Sequence, residues 1–118
     1  MDDETHYLEV AVADREAFVL CLALGTLEAM RCGAWPLEAG IWTLRRPCYF
    51  QPMASGGVAA EVVAELEAAD ELEALAKLCG RPAADAQLDR MIAAVRSRLS
   101  ALEERSWYAR WQDDTPEL

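Results

Sequence analysis

Asp14–Gly33, DREAFVLCLALGTLEAMRCG, is the stretch on which the reading of this chain turns. Its middle, Phe18 to Leu24, is seven apolar residues in a row. Asp14 is a good N-cap residue, because a carboxylate can accept from the free amides of a first helical turn. Glu16 suits the positive end of the helix dipole. Arg31 in the last turn and Gly33 just beyond it make a matching stop. These signals predict one helix over residues 14–32. A helix apolar on every side is expected to be covered on every side. Gly25 lowers helix stability, so a close approach by a second helix is the expected reason for it.

The segments on either side supply mostly further helices. Thr5 to Val12 alternates weakly, with Leu8, Val10 and Val12 on one side, and reads as a short N-terminal strand. Pro36 fits the first turn of a short helix carrying Leu37, Ile41 and Leu44 inward, and Pro47 ends it. Trp35 and Trp42, seven residues apart, are expected to share a face of this helix and enter the core. Cys48 to Gly57 holds Pro52 and Gly56–Gly57 and reads as a loop presenting Tyr49 and Phe50.

Val58 to Ala69 is amphipathic, with Val62 and Leu66 inward and Glu61 and Glu65 outward. Asp70 and Glu73 form a capping-box pattern opening a short helix. Leu72, Leu75, Leu78 and Cys79 are its expected inner face, and Gly80 its stop. The last helix runs from Pro82 to Arg105. Its Leu88, Ile92, Val95, Leu99 and Leu102 are spaced four, three, four and three, a seam of period 3.5. That seam either packs inside the chain's own bundle or joins two copies. The tail carries Trp107, Tyr108 and Trp111, expected to dock on the body or to meet another chain, and frays over 112–118.

The 118 residues fit a single domain with room for a core. There are 21 Asp and Glu against 11 Lys and Arg, a net charge of −10. Such a chain is poorly suited to nucleic acid or an anionic membrane, since both need cations on the protein. A basic protein is the electrostatic complement. The four cysteines show no C-x-x-C spacing and the lone histidine, His6, is far from them, which argues against zinc. Cys21 and Cys79 read as small buried hydrophobes. The acidic start and short apolar runs predict a cytoplasmic protein without a signal or membrane span.

Catalytic equipment is sparse. A nucleophile needs a base and a group to orient it, and one histidine near the N-terminus offers neither. No Gly-rich phosphate loop is present. Carboxylate pairs such as Asp85/Asp89 sit at helix-surface spacing beside arginines. The expectation is a non-enzymatic protein without cofactor or metal. The clustering of acids is more informative. Between Glu61 and Arg90 there are eight acids and three bases, so half of the net charge lies in a quarter of the chain.

The order of elements resembles a family of small uncharacterised bacterial proteins. The resemblance rests on ALGTLEAM (Ala23–Met30), WPLEAGIWTL (Trp35–Leu44), ADELEAL (Ala69–Leu75) and a last helix ending near SWY (Ser106–Tyr108). Some proteins of this kind sit beside polymorphic toxin genes and are presumed immunity proteins. It implies a helical protein, and its packing motifs carry no functional residue over.

Sequence thus predicts a mostly α, single-domain bundle of four to five helices around residues 14–32. The expected function is neutralisation or regulation of a basic protein partner such as a toxin. Glu61, Glu65, Asp70 and Glu71 would pair with its cations, and Tyr49 or Trp111 would anchor the contact. The alternative is a homodimeric structural or regulatory protein joined through Leu88–Leu102 or the tail tryptophans.

Overall fold

A computed structural model of the chain describes residues 12–45 and 58–102. Among them the chain is mostly α, with no strand. A 3-10 turn, Val12–Asp14, leads into α1, Arg15–Arg31. Then come α2, Leu37–Arg45, and α3, Ala60–Glu67. A 3-10 turn, Ala68–Glu71, joins α3 to α4, Leu72–Cys79, and α5 spans Arg81–Ala101. The expected strand at 5–12, the loop bearing Tyr49 and Phe50, and the tail with Trp107, Tyr108 and Trp111 lie outside the described residues.

The ends of α1 show how sequence sets a helix boundary. Asp14 occupies the N-cap, but its side chain makes no capping hydrogen bond and is buried. At the other end Cys32 N–H donates to Glu28 O at 3.0 Å and Gly33 N–H to Met30 O at 3.2 Å. Gly33 closes this turn at φ 82°, a left-handed conformation that a side chain would strain. Gly80, at φ 90°, does the same between α4 and α5. Pro82 then fits the first turn of α5, where its missing N–H costs nothing.

The core is built on α1 and α5, whose mutual packing is the most extensive in the molecule. Leu20, Ala23, Leu27 and Met30 of α1 are fully buried, as are Leu88, Met91 and Val95 of α5. Leu44, Val62, Leu66 and Leu72 close the core from α2, α3 and α4. The 3.5-period seam is therefore used inside the chain: Leu88, Ile92 and Val95 are buried, and Leu99 and Leu102 pack against the same cluster. It does not offer a homodimer stripe. The helix also ends earlier than expected, at Ala101, with Leu102 extended rather than helical.

Several side chains differ from expectation. One face of α1 stays open, with Cys21 and Gly25 exposed and Leu22 44% exposed. A run of apolar residues does not require cover all round, because only one side of the helix packs against α5 and α2. Trp35 and Trp42 are 43% and 67% exposed, not core. Trp35 precedes α2 and so does not share a helical face with Trp42. Among the described residues nothing lies within 4 Å of a Cβ built on Gly25, so none of the described helices approaches it there. The close approach is at Gly40 of α2, where a Cβ would overlap the thioether of the buried Met30.

Candidate functional site

The acid-rich arm is the run Ala60–Cys79, made of α3, the 3-10 turn and α4. It is helical because Ala, Leu and Glu dominate it, and it is bent where the 3-10 turn tightens the backbone. Val62, Leu66, Ala69 and Leu72 anchor it to the core at helical spacing. That anchoring leaves Glu61, Glu67, Asp70 and Glu71 exposed, and Glu65 and Glu73 half-exposed. The capping box is not formed: Glu71 precedes α4 and no side chain caps it. Asp70 turns instead to Arg45 of α2, with Nε to Oδ1 at 3.2 Å.

The described carboxylates of α1 and α5 differ from those of the arm. On α1 and α5 each one meets an arginine. Glu16 takes both Nε and Nη2 of Arg98, at 2.9 and 2.8 Å, and accepts from Ala59 N–H at 2.8 Å. Those bonds hold its carboxyl below the usual glutamate range, with the Arg98 hydrogen bonds the largest cause, against the raising effect of burial. Glu28 meets Arg96 at 2.6 Å. Asp89 meets Arg31 at 2.9 Å, and Asp85 bridges Arg31 at 3.5 Å and Arg81 at 2.8 Å. The Asp89 hydrogen bond first, and then the charges of Asp85 and Asp89, raise the Arg31 pKa further above its ordinary value. Arg81 also donates to Met30 O at 2.6 Å, satisfying a carbonyl that the end of α1 leaves free. Asp85 and Asp89 are thus interhelical clamps as well as surface charges.

On the arm the pattern reverses. Glu61, Glu65, Glu67, Glu71 and Glu73 make no ion pair among the described residues, and Lys77 is the arm's one cation. Glu61 and Glu65 line an open groove of about 340 Å³ between α3 and α5. Glu71 rims a smaller one of about 200 Å³ on α4. Of the four acids expected to contact a partner, three therefore lie unpaired on one arm, and Asp70 is engaged by Arg45. Tyr49 and Trp111, the expected anchors, lie outside the described residues. Sequence reasoning missed Leu78, placed inward by its spacing but 84% exposed in the structure. Cys79 and Cys21, expected to be buried, are also exposed and unbridged.

Another groove, about 610 Å³ between α1 and α5, is crossed by the Arg31–Asp89 and Arg96–Glu28 pairs. Its charges satisfy one another, which makes it a brace rather than a receptor. Among the described residues no three His, Cys, Asp or Glu converge on a metal position, and no helix is long and apolar enough to cross a membrane. No protein-family model, curated protein or solved structure matches the chain. The resemblance to immunity-like bacterial proteins gains no support from these comparisons, and no residue role is transferred.

Proposed function

We propose that this protein is a non-enzymatic acidic binding module whose arm, Ala60–Cys79, docks a basic protein partner. One observation carries the reading. The carboxylates of α1 and α5 are matched by arginines, whereas five of the arm's six have none among the described residues. A fold that pairs the acids of its two central helices keeps this set available at the surface. Such a surface speeds encounter with a cationic partner and fixes its orientation more than it adds raw affinity. Covering a partner's basic working surface is also how an immunity-like protein would neutralise a toxin.

The test compares two baits in the cell of origin, the native chain and a variant with Glu61, Glu65, Glu67 and Glu71 changed to Gln. The changed residues are at the surface and outside the core, so both baits fold. The native bait should retain a stoichiometric protein of pI above about 9, released by salt, and the Gln variant should not. Recovery of the same proteins by both baits sinks the reading.

A further inference from the structure

We propose that the outer face of α4 is a seat for an amphipathic cationic helix of the partner, with Leu78 as its apolar contact. This inference rests on the acidic-arm reading and adds the secondary structure and chemistry of what binds. Leu72 anchors α4 inward and is fully buried, and Leu75 is half-buried against the core. Three residues on, Leu78 projects away from that core with 84% of its surface in water. Glu71, Ala74, Leu75, Leu78 and Cys79 recur at helical spacing and together line one open groove of about 200 Å³. An apolar strip one helix long, open along its length, matches the apolar face of another helix.

Charge complementarity selects the kind of helix. Glu71 stands at the head of the groove, and Glu67 lies a further four residues back along the arm. Neither has an ion-pair partner among the described residues. Lys77 lies about 100° round the helix from Leu78 and does not interrupt the strip. A docking helix with Leu or Met on one face and Lys or Arg flanking it satisfies both the strip and its acidic head. A second copy of this chain would bring more carboxylates to Glu67 and Glu71, and like charges across an interface are costly.

Two synthetic peptides of equal net charge test this by calorimetry with the full chain. One is a leucine–lysine peptide patterned as an amphipathic helix, and the other is oligolysine. The first should bind about tenfold more tightly, and Leu78→Ser should remove that advantage while leaving oligolysine binding unchanged. Glu67→Gln with Glu71→Gln should weaken both peptides. Equal binding of the two peptides, or indifference to Leu78→Ser, overturns the seat and leaves the acidic-arm reading in place. Failure of both peptides to bind at low salt overturns both readings. If Leu78→Ser instead turns a dimer into a monomer by sedimentation, the occupant is a second copy and the proposal fails.

Discussion

Two glycines in neighbouring helices have opposite reasons for being glycine, and their substitution separates them. Gly25 lies in the middle of α1 with open space where its Cβ would be. Gly25→Ala should stabilise the fold by about 0.5–1 kcal/mol, through helix propensity and a less flexible unfolded chain. Gly40 lies where α2 crosses Met30, whose fully buried thioether would have to shift to admit a Cβ. Gly40→Ala should cost about 1–2 kcal/mol net, since overpacking outweighs the same propensity gain. Urea unfolding of the two variants checks both signs, and stabilisation by both would show a looser crossing at Met30. Glu16 sets a pH dependence at this same scale. Its pKa is depressed from 4.5, so its stabilising contribution is complete above that value and is lost as pH falls through the lower folded value. Glu16→Gln should therefore cost about 2–3 kcal/mol at neutral pH, where a charged hydrogen-bonded group is lost. The difference from wild type should hold between pH 7 and pH 5 and shrink below about pH 4.

At the scale of elements, what the sequence shows and what it hides divide along a physical line. Helix existence and most boundaries were legible, because caps, stops and periodicity are local. Gly33, Gly80 and Pro82 act where they were read. Which face of a helix is covered is not local, since it depends on how many neighbours arrive. The apolar run Phe18–Leu24 could not say that Leu22 would face water while Leu20 and Ala23 became core. Leu78 misled in the same way: it continues the spacing of Leu72 and Leu75, but α4 is short and turns at Gly80 before anything covers it. The acidic arm was visible as composition. Its availability was not, because the pairing of Glu16 with Arg98 and of Asp89 with Arg31 spans more than fifty residues. A truncation series tests the assignment of faces. Leu27→Ala removes a side chain fully enclosed between α1 and α5 and should cost about 2–5 kcal/mol. Leu22→Ala, on the open face of the same helix, should stay within about 1 kcal/mol. Near-equal losses in chemical denaturation would mean that the open face is in fact covered.

At the scale of the whole molecule, one pool of charge has two consequences of opposite sign in salt. The chain carries a net −10, and among the described residues five carboxylates without an ion pair lie together on Ala60–Cys79. Within the folded chain these carboxylates repel one another, and compaction brings them closer than in the unfolded state. The pairs Arg31–Asp89 and Arg96–Glu28 act in the other direction, but they are partly exposed and contribute little. Added salt screens both, with a screening length of about 10 Å at 0.1 M. Contact pairs at 2.6–2.9 Å sit well inside that length, whereas the repulsion summed along the arm extends over about 30 Å for twenty helical residues, so its longer-range part is screened more fully. Stability against urea should therefore rise modestly as sodium chloride is increased from low millimolar to about 0.2 M. Association with a cationic partner draws on the same field across a wider gap, and its rate should fall over the same range. Measuring both on one preparation separates the two roles of the charge. If stability fell together with association, the interhelical pairs would outweigh the arm's repulsion, and the arm would not be the electrostatically stressed surface that its unpaired acids describe.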